Sequence, residues 1–342
     1  MPKVTDDLFS HQPLTDDAGW FDRFYWNVHS PRGDFTISQG MGSYPQPGVV
    51  DGFAMLVDAR GQRNLRVSRE GEATEQRVEA GPLSAEILEP LARWRLRLDD
   101  NDAGFSYDLE FEGDLAPIDV GRIERRSRKT GALLDFSHFV QVGRVHGRLV
   151  IDGVARTLDA ESWFGLRDRS WGIRPGAGDQ PPANEPPSPT AGRHDWLLGR
   201  IGDRAVFYFL SGGGNRGPHL LGAGLSTPAG EIKVSSVERK LDWDERGRFR
   251  GALATLRTEQ GETIDLRASA PAATLYLRGG LYGGWQGLRQ GMRRSALVCE
   301  AERWSTSEPA VLAEVAGLND HVCRFESQTG AGFGIYEVAS GF

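Results

Sequence analysis

Cysteine is scarce in this sequence of 342 residues, and its scarcity removes two classes of structure. Only Cys299 and Cys323 are present, and no histidine lies beside either one in a zinc-binding pattern. Neither a disulfide framework nor a thiolate metal site is therefore predicted.

The chain also lacks the run of roughly 18 apolar residues that a transmembrane helix requires. Because Met1–Asp7 has no basic and apolar signal segment, we expect a cytoplasmic protein, with peripheral contact to a membrane left open.

Positive charge is also in short supply. The formal net charge is -7, and the densest basic run, Arg122–Lys129, is short. A protein that binds nucleic acid needs a dominant basic surface for the phosphates, so nucleic acid is not expected as a partner. The sequence does not specify an oligomeric state.

Nucleotide and hydrolase motifs are missing as well. There is no Walker loop, no Gly-x-Gly-x-x-Gly unit between a strand and a helix, and no Gly-x-Ser-x-Gly elbow. No helical His-x-x-x-His pair or carboxylate cluster indicates a metal. The sequence therefore predicts a protein that uses no cofactor and no metal, and it disfavours a serine hydrolase.

Glycine, in contrast, is abundant, with 44 residues that separate short apolar segments. Few windows keep a helical period, whereas many alternate in the manner of half-buried strands, most clearly Phe105–Phe111. At least a dozen such segments on both sides of the midpoint predict an all-β protein with two antiparallel sheets or barrels. We also predict one helix, at Ser84–Ala92, and a strand at Val311–Ala316.

A proline-rich segment suggests the domain division. Residues 175–192 contain six prolines and no large apolar side chain, so they cannot build a core. Because a single core stops growing at roughly 250 to 300 residues, two domains are favoured. We predict domains at 1–174 and 193–342, joined by a segment at 175–192 that is either a linker or a mobile lid.

The densest chemistry lies in Arg167-Asp-Arg-Ser-Trp-Gly-Ile-Arg174. In a strand, alternation sends Asp168 and Ser170 to one face and Arg167, Arg169 and Trp171 to the other. If Asp168 faces an apolar cavity, desolvation favours its protonated form and makes it a candidate general acid. If it pairs with an arginine instead, the pair clamps the two sheets and disarms the acid. The sequence leaves both interpretations open.

Further candidates flank this motif. His194 is a candidate base, although its neighbour Asp195 would face the opposite way on a strand and could not orient it. Aromatic side chains could form a wall for a lipophilic ligand, with a core position as the alternative for each: Trp163, Trp171 and Trp196. A second polar set on a strand-like stretch supplies two candidate substrate-binding residues, His138 and Gln141.

Several of these segments carry a family resemblance. The run from His138 to Gly147, the Arg167–Arg174 motif, and the closing Gly-Phe-Gly-Ile-Tyr-Glu337 resemble the carotenoid 1,2-hydratase (hydroxyneurosporene synthase) and AttH-like family. The resemblance implies two lipocalin-like β-barrels or open β-sandwiches in tandem, with an apolar cavity near their junction. It also implies cofactor-free hydratase or cyclase chemistry, in which an aspartate at the position of Asp168 protonates an alkene.

These observations predict a cofactor-independent enzyme that acts on a lipophilic unsaturated small molecule, isoprenoid or polyketide-like, by acid-catalysed hydration, isomerisation or cyclisation. Asp168 would donate the proton, and His194 would position water or accept a proton. Arg174 would orient Asp168 or anchor a polar end of the ligand. The alternatives are a non-catalytic carrier or sensor of a hydrophobic ligand and a structural relative whose cavity is filled by side chains.

Overall fold

The computed structural model describes residues 1–9, 19–126, 133–174, 194–211 and 218–339. Nearly all regular elements in these ranges are β-strands, and they form two antiparallel sheets that curl into barrels. The prediction of an all-β protein with two lipocalin-like barrels in tandem is confirmed. The proline-rich segment at 175–192 lies outside the described residues. Within the described ranges, no helix is long and apolar enough to cross a membrane.

The first half of the chain supplies twelve strands, all in the first sheet. They are β1 (Trp20–His29), β2 (Thr36–Tyr44), β3 (Val49–Asp58), β4 (Gly61–Glu70), β5 (Arg77–Ala80), β6 (Leu83–Glu89), β7 (Arg93–Leu98), β8 (Phe105–Gly113), β9 (Ile118–Arg126), β10 (Leu133–Ile151), β11 (Val154–Leu158) and β12 (Phe164–Ile173). The order along the sheet is β4-β3-β2-β1-β12-β10-β8-β7-β6-β5, with β9 and β11 paired to β10. Strand β12 thus lies between β1 and β10, in the middle of the sheet.

The second half forms a closed barrel and returns one strand to the first sheet. Its strands are β13 (His194–Ile201), β14 (Arg204–Ser211), β15 (His219–Thr227), β16 (Gly230–Trp243), β17 (Phe249–Thr258), β18 (Thr263–Tyr276), β19 (Leu297–Trp304), β20 (Leu318–Ser327) and β21 (Gly330–Ala339). The barrel closes through β20 and β21, whereas β19 pairs with β4 along its whole length. Residues 297–304 of the predicted second domain therefore belong to the first sheet.

Strand alternation divides the buried apolar side chains into three layers. On β13, Leu197 packs inside the second barrel, while Trp196 and Leu198 face the opposite way. Those two join a cluster that also contains Tyr25 and Val140 of the first sheet, so this layer lies between the barrels. The first sheet encloses a third cluster of its own. The layer between the barrels is where a ligand cavity could form.

Two local predictions are wrong, and both errors concern periodicity. Ser84–Ala92 is mostly strand β6, where buried positions alternate with partly exposed ones in a period of two. Val311–Ala316 is mostly a short helix, α1 (Pro309–Val315), with a proline in its first turn. Val311 and Val315 are one helical turn apart and pack on the same pair of tryptophans, Trp285 and Trp304. Burial of the face that carries Val311 and Val315 therefore favours a helix over a strand in this segment.

Buried ion pairs hold the amino-terminal segment against the first sheet. Asp7 lies in a 3-10 turn and accepts a hydrogen bond from Arg167 at 2.5 Å, with both side chains fully buried. Arg169 bonds to Asp22 on β1 at 2.7 Å and to the carbonyl of Leu8 at 2.7 Å. Arg167 and Arg169 of the central motif therefore clamp the start of the chain and take no part in a pair with Asp168.

This clamp predicts a large loss of stability on removing one charge. Asp7→Asn leaves Arg167 buried without a counter-charge, so the free energy of unfolding should fall by about 3–5 kcal/mol. Asp99→Asn is the matched control, because Asp99 pairs with Arg97 at an exposed position, where the expected loss is about 0–1 kcal/mol. Urea denaturation of the two variants measures the difference, and equal losses would contradict the clamp.

Candidate active site

A cavity of about 280 Å³ lies between the two barrels. The first sheet lines it with residues of β1, β9, β10 and β12, and the second barrel lines it with residues of β13, β14, β15, β20 and β21. Asp168 and Ser170 of β12 face this cavity, whereas Arg167 and Arg169 bond within the first sheet. The alternation predicted for the central motif thus separates an acid face from an arginine face.

Among the residues that the structure describes, Asp168 is in contact with a histidine and not with an arginine. Its carboxylate lies 3.5 Å from Nε2 of His138, and its side chain keeps 25% of its exposure. His138 is buried, and neither ring nitrogen has a hydrogen-bond partner within the described residues. Arg174 also lines the cavity, but it donates to Gln290 at 2.7 Å and lies over the ring of Phe21. The contacts therefore favour the cavity-facing interpretation of Asp168 over the clamp.

A second acid in the cavity was not predicted from the sequence. Asp320 of β20 is only 1% exposed, and the hydroxyl of Tyr25 donates to its carboxyl group. Burial, together with the negative charge of Glu337 and a hydrogen bond to it, raises the pKa of Asp320 well above its ordinary value. Asp168 raises it further. This environment favours the protonated form of Asp320 over the ionised one.

The contacts of Asp320 continue to His194. Asp320 and Glu337 are directly opposite each other on β20 and β21, and His194 makes an ion pair with Glu337. Tyr25, Asp320, Glu337 and His194 thus form one connected chain along the wall of the cavity. His194 and Asp168 line the same cavity, but His194 contacts Glu337 and Asp168 contacts His138.

Aromatic side chains complete the wall. Trp196 lines the cavity and packs edge-on against Phe207, with ring centroids 5.6 Å apart. Tyr282 also lines the cavity, and burial raises the pKa of its hydroxyl to about 12, so that it remains a neutral donor. The cavity therefore presents ring faces and neutral donors beside its carboxyl groups.

Three of the predicted substrate-binding residues lie elsewhere. Trp163 packs against Phe35 in the core of the first sheet. Trp171 lies under the guanidinium of Arg169, on the face of β12 that points away from the cavity. Gln141 accepts a hydrogen bond from Arg167 at 2.9 Å and supports the clamp. Strand alternation sends Trp171 and Gln141 into the first sheet, and Trp163 packs there immediately before β12 begins.

Metal-type ligands come together away from this cavity. Among the described residues, Glu110, Glu112 and His146 bring their ligand atoms within 4.8 Å of one another on β8 and β10. Arg93 donates to Glu110 at 3.2 Å and supplies a positive charge from within the protein. This group has no connection to the acids between the barrels.

Comparison with solved structures places this arrangement in a known fold. A putative AttH from Nitrosomonas europaea shares 13% identity, with a TM-score of 0.58 and coverage of 94% of this chain and 93% of that one. Kievitone hydratase from Nectria haematococca shares 10% identity, with a TM-score of 0.52 and coverage of 93% and 88%. CghA shares 11% identity, with a TM-score of 0.53 and coverage of 94% and 88%.

The protein is therefore a tandem lipocalin-like barrel of the AttH-like fold, as the sequence resemblance implied. The chain belongs to a family of unknown function, DUF8625, whose model matches residues 10–340. No curated protein matches it by sequence.

The raised pKa of Asp320 predicts a pH dependence of stability. The folded state holds this proton more tightly than the unfolded chain, so protonation stabilises the fold. This stabilisation by the proton of Asp320 is fully present below the ordinary aspartate pKa, and it is lost as the pH rises through the raised pKa of Asp320. Between these two pKa values, the free energy of unfolding falls by up to about 1.4 kcal/mol for each unit by which the pH rises.

Asp320→Asn imitates the protonated acid and should remove this decline. Urea denaturation from about pH 4, near the ordinary aspartate pKa, to about pH 8 measures the slope for wild type and variant. The exposed variant Asp99→Asn should keep the wild-type slope. A slope that Asp320→Asn leaves unchanged would show that Asp320 is ionised in the folded protein.

Proposed function

We propose that the cavity between the barrels is the active site of an enzyme that protonates an unsaturated, lipophilic small molecule. Depending on the fate of the resulting cation, the reaction is a hydration, an isomerisation or a cyclisation. The observation that carries this proposal is Asp320, a buried carboxyl group whose pKa is raised by burial and by Glu337. A general acid must be protonated at the working pH, and this environment favours that state.

In the proposed reaction, Asp320 transfers its proton to one carbon of a double bond. The π electron pair forms the new C–H bond, and the neighbouring carbon becomes cationic. In a hydration, water adds to this carbon and gives a proton to Asp168 or to its neighbour His138. In an isomerisation, the same pair removes a proton from the adjacent carbon. In a cyclisation, the π electrons of a second double bond form the ring C–C bond, and the same pair then removes a proton next to the new cationic carbon.

The remaining cavity residues have supporting roles. Trp196 and Tyr282 would stabilise the cation through their ring faces. Glu337 and His194 would return a proton to Asp320 after each turnover, which gives His194 a different task from the one predicted by the sequence. Arg174 would anchor a polar group of the substrate, since it lines the cavity without contacting Asp168.

Cavity size restricts the substrate. The volume of about 280 Å³ lies just below the range for small-molecule sites, roughly 300–1,000 Å³. A compact isoprenoid or polyketide-like molecule fits this space better than a long polyene. The shared fold with kievitone hydratase, and with CghA, which has also been solved with Sch210972, supports a small-molecule reaction.

Deuterium incorporation tests the proposal across many candidate substrates. In D2O, protonation of a double bond by the enzyme adds a deuterium that mass spectrometry detects in product or recovered substrate. A panel of mono- and sesquiterpenoid alkenes and conjugated enones is suitable. Asp320→Asn should reduce the labelling rate by about 10²–10⁴-fold. The dissociation constant of the same compound should change little.

Asp99→Asn serves as the control and should label like wild type. If the wild type binds a panel compound but adds no label, the protein is a carrier and the proposal is wrong. If Asp320→Asn labels at the wild-type rate while Asp168→Asn does not, the proton donor is Asp168.

A further inference from the structure

A second and larger cavity lies at one end of the second barrel. Its volume is about 610 Å³, within the range of small-molecule sites. The turn between β16 and β17, the end of β18, helix α1 and the start of β20 surround it. Asp320 and His321 are neighbours on β20 and face opposite ways, so this strand separates the second cavity from the first.

The interior of this cavity is largely apolar but contains an unpaired polar atom. Phe249 is buried in its wall, and Leu312 and Ala316 of the helical side face it. His321 is 6% exposed, its Nδ1 lies 2.9 Å from the hydroxyl of Thr274, and its Nε2 has no partner within the described residues. A buried polar atom without a partner is unfavourable unless a ligand or water bonds to it.

His321 offers a hydrogen bond and not a charge. Burial lowers the pKa of its ring to about 3, so the ring is neutral at physiological pH. Because Thr274 occupies Nδ1, Nε2 is the ring nitrogen left without a partner among the described residues. An oxygen-bearing group at the inner end of a ligand would satisfy it.

The rim of the cavity is positively charged. Arg246, Arg248 and Arg250 line it with exposed side chains, and Asp244 is the single acid among the lining residues. Asp244 pairs with Arg248 at 2.7 Å. The side chains of Arg246 and Arg250 make no ion pair in the part of the chain that the structure describes, so an anion at the rim would meet two uncompensated charges.

We propose that this cavity binds an amphipathic carboxylate that carries a second oxygen at the far end of its apolar chain. The carboxylate contacts Arg246 and Arg250, the chain lies against Phe249 and helix α1, and the inner oxygen bonds to Nε2 of His321. The site is independent of the proposed reaction, because none of these residues lines the cavity between the barrels.

Calorimetric titration with ω-hydroxydodecanoate tests the location of the site. Ala313 is exposed and lines this cavity, so Ala313→Trp fills it without changing the core. The variant should weaken binding by about tenfold or more. Glu314→Trp is the matched control, since Glu314 is exposed on the same helix and does not line the cavity; it should bind like wild type. Equal affinities of the two variants would overturn the proposal.

The chemistry of the ligand is tested with the same assay. Replacing both rim charges in the double variant Arg246→Gln, Arg250→Gln should lower the affinity for ω-hydroxydodecanoate several-fold. The cation dodecyltrimethylammonium should not bind to the wild type. Unsubstituted dodecanoate should bind more weakly than its ω-hydroxy form, because it leaves His321 unpaired. Tight binding of the cation, or equal affinity for the two carboxylates, would contradict the assigned chemistry.

Discussion

The period-two alternation of β12 is the constraint on which the rest of the structure depends. One face of this strand points into the first sheet, where Arg167 and Arg169 are fixed by Asp7 and Asp22. The other face points between the barrels and carries Asp168 and Ser170. Because the arginines are already neutralised by other carboxylates, Asp168 is left to the cavity. Strand β12 thus clamps the amino terminus with one face and supplies an acid with the other, and strand geometry alone keeps the two tasks apart.

Three carboxyl groups share the cavity between the barrels. Asp168, Asp320 and Glu337 all line its volume of about 280 Å³, and like charges in so small a volume oppose each other's ionisation. Asp320 is the most buried of the three, and its burial and the charge of Glu337 outweigh the hydrogen bond from Tyr25, which favours the ionised form. The more exposed Asp168 and Glu337 each contact a histidine. In the proposed reaction, Asp320 is therefore the acid, and Asp168 with His138 is the base.

Local sequence patterns could predict most of the strands and the two faces of β12, with Asp168 on the face opposite to Arg167 and Arg169, because these follow from residues that are neighbours in the chain. They could not predict that Asp320 and Glu337 meet Asp168 across the interface, since that requires the packing of two barrels. A signal was nevertheless present: Asp320 interrupts an apolar face formed by Leu318 and Val322, where an acid is expensive to bury. Trp163, Trp171 and Gln141 do not line the cavity, because Trp171 and Gln141 lie on strand faces that point into the first sheet and Trp163 precedes β12. Strand β19 joined the first sheet through pairing with β4, which no local pattern reports.

The central claim is that Asp320 carries a proton in the folded protein at neutral pH. Infrared difference spectroscopy measures this directly, because a protonated carboxyl group has a C=O stretching band that a carboxylate lacks and that shifts in D2O. The account predicts such a band in the wild type at neutral pH, and its loss in Asp320→Asn but not in Asp99→Asn. A wild-type spectrum without the band, or one in which the band survives in Asp320→Asn, would contradict it.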